Sequence, residues 1–176
     1  MTIKLLLTES SKDITDICKS VEKALAEISG LNELSFTVEL LENFDGLLAE
    51  EKSQPIKSAI AIFQNVTEII CVNRNALSIF PVQVQEAALA RAIACGSIHR
   101  DSLLSRLTKY AEFGHFDKGV LADYLTCKWG FFEGLRAERV LSYGQHYVEA
   151  LDKWHDEEEY LSAMYLWLVR KGAGYA

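Results

Sequence analysis

The stretch Ile69 to Asp101, IICVNRNALSIFPVQVQEAALARAIACGSIHRD, changes its period halfway and so marks where sheet gives way to helix. The apolar run Glu68 to Val72, paired with Ala59 to Phe63 across the polar Gln64-Asn65-Val66-Thr67, predicts a β-hairpin. From Pro81 the spacing predicts a helix reaching about Gly96, because proline at the first helical position gives up only an amide that has no intrahelical partner.

Working outward toward the N-terminus, Leu34, Phe36, Val38 and Leu40 alternate with polar residues and predict a strand with one buried face. Before it, Ile14, Ile17, Cys18, Val21, Ala24, Leu25 and Ile28 recur at helical spacing behind Ser10-Ser11-Lys12-Asp13, which resembles a capping box. Residues 43–55 turn polar and read as a loop or short helix. Toward the C-terminus the pattern is helical throughout: segments near 101–112 and 117–129 punctuated by Gly114 and Gly130, then a long helix from Leu135 to Trp154 and a last one from Tyr160 to Leu168. The expected fold class is α+β, a small N-terminal sheet with a helix packed on it followed by a mostly helical half. The expected organisation is a single domain over 1–176, with 131–176 as a helical extension.

The composition suits an ordinary globular domain: 49% hydrophobic and 24% charged residues over 176 positions suffice for a core without disulfides or metals. A net charge of -7 argues against binding nucleic acid by broad phosphate neutralisation. The acidic run Asp152 to Glu159 reads as a solvated helix start. Cys18, Cys71, Cys95 and Cys127 are scattered and read as reduced thiols. The start of the chain is too poor in apolar residues for a signal-peptide core, and no run approaches the ~20 apolar residues of a membrane helix. The expectation is a cytoplasmic protein with no membrane contact, so the Asn65-Val66-Thr67 triplet is not expected to be glycosylated.

Two segments carry a family resemblance. The order of helix, strand, hairpin, short helix and proline-led helix resembles the minimal zinc-metallopeptidase core of the zincin-like group. Within it, IICVNRNALSIFPVQVQEAALARAIACGSIHRD is similar to that family's edge strand, its N-x-x-A-L turn and its active-site helix bearing E-A-x-x-A-H-E-x-x-H. The later LADYLTCKWGF is similar to the E-A-D-x-x-A-x-x-W-G-F segment that supplies a third ligand. Two histidines one helical turn apart and a later carboxylate leave zinc an open position, while the intervening glutamate takes a proton from the bound water.

This chain departs from that pattern at each chemical position. The resemblance puts Arg91 at the first histidine, Ala92 at the glutamate, Cys95 at the second histidine and Leu121 at the later ligand. A guanidinium has no lone pair to donate, alanine is no base, and leucine does not ligate. No catalytic, cofactor or metal residue is therefore expected, and no cofactor. If the fold is zincin-like, Arg91 points into the former cleft, where it stands in place of a metal cation and pairs with Asp123; the alternative is an ordinary surface arginine.

The implied function is a non-catalytic, metallopeptidase-like protein acting in protein–protein interaction or assembly, through another protein or itself by way of the C-terminal helices. An alternative is a divergent metal-dependent hydrolase using Cys95, His99 and His115, with Asp117 or Asp123 as further donors. Against that reading, Gly96 is expected to interrupt the helix that must set the Cys95–His99 spacing. A small-molecule binder using the emptied cleft is a third option. The aromatic residues Trp129, Phe131, Phe132, Trp154, Tyr160, Tyr165 and Trp167 read as core.

Overall fold

A computed structural model describes residues 4–8, 11–26, 34–44, 59–100 and 118–143. The strict alternation of SFTVELL makes strand β2 (Ser35–Leu41), which buries Phe36, Val38 and Leu40 on one face. Strand β1 (Lys4–Leu7) runs parallel to it, Leu5 beside Phe36 and Leu7 beside Val38. On its other side β2 pairs in parallel with β4 (Ile69–Asn73), Val38 beside Ile70 and Leu40 beside Val72. Strand β3 (Ala61–Gln64) closes the sheet antiparallel to β4, giving the order β1-β2-β4-β3.

The expected hairpin is present, but IICVN is not an edge strand. It lies between β2 and β3, and its apolar run is what a strand paired on both sides requires. The hairpin turns through Asn65 to Glu68, where Glu68 takes a φ of 55° and its amide donates to the Gln64 carbonyl at 2.8 Å.

Helix α1 (Lys12–Leu25) buries Ile14, Ile17, Cys18, Val21 and Leu25, whereas Ala24 faces solvent. Its N-cap is Ser11, whose side chain makes no capping hydrogen bond, and Ser10 of the expected capping box lies outside the described residues. The Ser11 carbonyl instead accepts from both the Thr15 amide at 3.1 Å and the Thr15 hydroxyl at 2.8 Å. Glu22 ties this helix to the sheet edge, its Oε1 accepting from the Leu5 amide at 2.6 Å. The edge strand thereby loses an open donor.

Asn73 ends β4 and caps the one-turn helix α2 (Arg74–Leu77), its side chain accepting from the Ala76 amide at 3.1 Å. Helix α3 (Val82–Arg100) follows. Pro81 sits one residue before it, its carbonyl accepting from Val84 and Gln85. Gln85 fastens the preceding turn by donating to the Leu77 and Phe80 carbonyls, each at 2.6 Å.

Helix α3 does not end at Gly96 but runs on to Arg100. Gly96 is there for closeness rather than flexibility: a Cβ on it would lie 2.5 Å from a Phe36 ring carbon and 3.0 Å from Phe63. With Ala87, Ala88, Leu89, Ala90, Ala92, Ile93, Ala94, Ser97 and Ile98 all buried, α3 is covered on more than one face and is the central helix of the fold. The sheet and α1 pack on one side of it. On the other pack α4 (Lys118–Thr126) and α5 (Phe132–Tyr143), joined by a π-helical turn, Cys127–Phe131, in which Gly130 takes a φ of 91°.

The arrangement is α+β, a small mixed sheet with helices. Among the described residues no helix is long and apolar enough to cross a membrane. All four cysteines are free thiols. The helices expected at 101–112 and beyond Tyr143, with Trp154, Tyr160, Tyr165 and Trp167, lie outside the described residues.

Candidate functional site

Where α3, α4 and α5 meet, the apolar packing is interrupted by charge. Asp123 on α4 is 1% exposed and receives two arginines on the same oxygen. Arg91 of α3 donates its Nε to Asp123 Oδ1, and Arg139 of α5 donates Nη2 to that oxygen at 2.9 Å. The side chain of Arg139 is 4% exposed and that of Arg91 22%. Glu138 is also buried, and its Oε2 lies 3.8 Å from Arg139 Nε, an ion-pair distance too long for a hydrogen bond.

Small side chains bring the helices close enough for this. Ala94, Ile98 and Ala122 form one apolar patch, with Cys95, Tyr124, Leu125 and Trp129 packed around it. Ala87 and Leu135 form another, with Cys127, Phe131 and Phe132 around it. Thr126 returns its hydroxyl to the Ala122 carbonyl at 2.7 Å, and Gly134 abuts the backbone of α3, where an added Cβ would stand 2.2 Å from the Gln83 carbonyl oxygen.

The electrostatics follow from the pairing. Burial works against the Arg91 charge, but Asp123, the neighbouring Cys95 and Glu138 outweigh it, and the guanidinium is held more firmly protonated than usual. Cys127 sits beside the same cluster. Burial first, and then the charge of Asp123, push its thiol up to about 12 against the opposing pull of Arg139, so it is neither thiolate nor nucleophile at neutral pH.

Arg91 is therefore paired with Asp123 and is not an ordinary surface arginine. Ala92 is buried against the sheet-side core, Cys95 is half-buried toward α4, and Leu121 falls within α4. His99 lies at the far end of α3 against the Phe63 ring, centroids 5.7 Å apart, with its Nε2 3.7 Å from Glu68. Because α3 is unbroken at Gly96, the objection that glycine disrupts the Cys95–His99 spacing does not hold. His115 and Asp117 lie outside the described residues. Among the described residues no three histidine, cysteine, aspartate or glutamate side chains converge as a metal would require.

Sequence reasoning missed Arg139 and Glu138. A signal was available: Arg139 follows Leu135 by one helical turn and so shares the face that α5 buries. A charge on a buried face calls for a partner elsewhere in the chain.

No protein-family model matches the chain, and no curated protein or solved structure matches it either.

Proposed function

We propose that the chain is a non-catalytic, metallopeptidase-like protein that acts by binding a protein partner. The observation that carries this reading is the Arg91–Asp123–Arg139 cluster where α3 and α4 meet α5. In the zincin-like core those two helices supply the metal ligands and the base. Here Arg91, at the first-histidine position, meets the buried Asp123, two residues beyond Leu121 at the later-ligand position, and the carboxylate's charge is engaged by two arginines. The order α1, β2, hairpin, α2 and proline-led α3 also agrees with that core.

Such a cluster performs no hydrolysis. Neither arginine donates a lone pair or accepts a proton, and Cys127 carries a raised pKa. What it does is fix three helices relative to one another, which suits a scaffold whose surface is read by a partner.

The unbroken α3 supports a second reading, a divergent hydrolase, since Cys95 and His99 do stand one turn apart on one helix. Elemental analysis of untagged, metal-free-purified protein after addition of zinc separates the two. The first reading expects substoichiometric zinc and a melting temperature unmoved by chelator. One tightly held zinc per chain, with a melting temperature that drops on chelation, would overturn it.

A further inference from the structure

At the end of the sheet away from Glu68 and His99, a groove of about 660 Å³ opens where parallel strands β2 and β4 end. Its floor is the margin of the core: Ile17 of α1, Leu40 of β2 and Leu77 of α2, all buried. One wall is α1, with Asp13 and Asp16 one turn apart and exposed. The facing wall is the first two turns of α3, with Val82, Gln85 and Glu86. Arg74 also borders it, but its guanidinium is paired with Glu42.

Two features separate this groove from an ordinary crevice. Its lip is apolar and wet: Val82 is 58% exposed, and Ile79, next to the lining Ser78, is 76% exposed, two of five large apolar side chains left in solvent among the described residues. Its walls are acidic on both sides, which repels anions and attracts cations. The three carboxylates are not gathered as an ion would need; no metal-competent group occurs among the described residues. An apolar floor and lip between separated negative charges fits a ligand that is apolar along its middle and positive at its flanks. Because exposed apolar surface continues past the lining to Ile79, the groove suits a chain segment rather than a small amine.

We propose that this groove docks a basic amphipathic segment of a partner protein. An aliphatic or aromatic side chain of the partner sits on Ile17, Leu40 and Leu77, and flanking lysines or arginines face Asp13, Asp16 and Glu86. The proposal rests on the reading of the chain as a binding protein, and it places the contact at this end of the sheet instead of on the C-terminal helices. The chain's net charge of -7 favours encounter with such a segment at low salt.

The test uses the full chain, isotopically labelled, titrated with a designed peptide of alternating leucine and lysine clusters. Controls are a scrambled peptide of the same composition and a version with glutamate for lysine. Amide shifts are expected to concentrate in residues 13–20, 74–78 and 82–86 for the designed peptide alone. An Asp13→Lys/Asp16→Lys double variant and Val82→Asp should each weaken binding about tenfold or more without altering the spectrum elsewhere. Equal binding of the scrambled peptide, shifts centred on another surface, or affinity unchanged in both variants would overturn the groove. Shifts centred on another surface that nonetheless require the amphipathic order would leave the binding-protein reading standing. No binding by any peptide, combined with a stoichiometric zinc, would remove both.

Discussion

The two sides of helix α3 are built on different principles. Toward the sheet it presents Ala88, Ala92, Ile93 and Gly96 to Phe36, Val38, Ile70 and Phe63, an interface of apolar burial whose polar links, from Arg100 to the Ser35 carbonyl and Glu68, lie at its exposed end. Toward α4 and α5 the apolar contribution is thin, and the helices are held by Arg91, Asp123 and Arg139. Burial on the sheet side is non-directional and tolerates small shifts. The charged side has a defined geometry, and a buried ion pair contributes little net stability over an apolar replacement while failing badly when one partner is lost. One side therefore supplies stability and the other supplies register.

The largest expected effect breaks the charged side. Asp123→Ala removes the carboxylate to which both Arg91 and the buried Arg139 donate and should cost about 3–5 kcal/mol in urea unfolding. Replacing all three partners together, as Arg91→Met/Asp123→Leu/Arg139→Met, should recover most of that loss. If the triple variant is as unstable as the single one, the cluster contributes more than mutual compensation and the contrast between the two sides is wrong.

The sheet side should fail more gently. Gly96→Ala drives a methyl into the buried Phe36 ring, an overpacking expected to cost about 1–3 kcal/mol. Gly134→Ala meets backbone instead of side chain at Gln83, so it should exceed Gly96→Ala and displace α5, seen as shifts in amide exchange confined to α3 and α5. Equal costs at the two glycines would indicate that the α5 contact is as adaptable as the Phe36 contact. Gly130→Ala, with open space around it but a φ of 91°, should cost only the left-handed strain of about 1–2 kcal/mol.

The same contrast explains what could be read from the sequence. The alternation in β2, the hairpin and the buried spacing of α1 are legible because non-directional burial leaves a periodic trace. Strand β1 left none: KLLL is too short to alternate and becomes a strand only through parallel pairing with β2. Gly96 is ambiguous because a glycine that permits close approach is indistinguishable, in one sequence, from one that ends a helix. Arg91 and Asp123 were found through a resemblance, not a pattern. Spacing from Leu135 marks Arg139 as a charge on a buried face, but its partner is not legible, since three charges from three helices share no sequence spacing.

The last effect is confined to alkaline pH and samples both sides at once. Burial, then Glu22, pushes Cys18 up to about 12 on the sheet side, while Cys127 reaches about 12 on the charged side, and Cys71 is pushed to about 11 by burial and then Glu39. The unfolded chain releases these protons near the ordinary thiol value of 9.0, whereas the folded chain keeps them. Above that value the unfolded state binds fewer protons, so stability is fully present below it and declines as pH rises toward 11 and 12. Urea unfolding followed through this window should show the decline, and Cys18→Ala or Cys127→Ala should each reduce its slope by the share of one thiol. The two should then part company in an Arg139→Met background. Loss of the arginine that opposes the rise should deepen the contribution of Cys127 and leave that of Cys18 untouched, because only the former titrates in the field of the charged cluster.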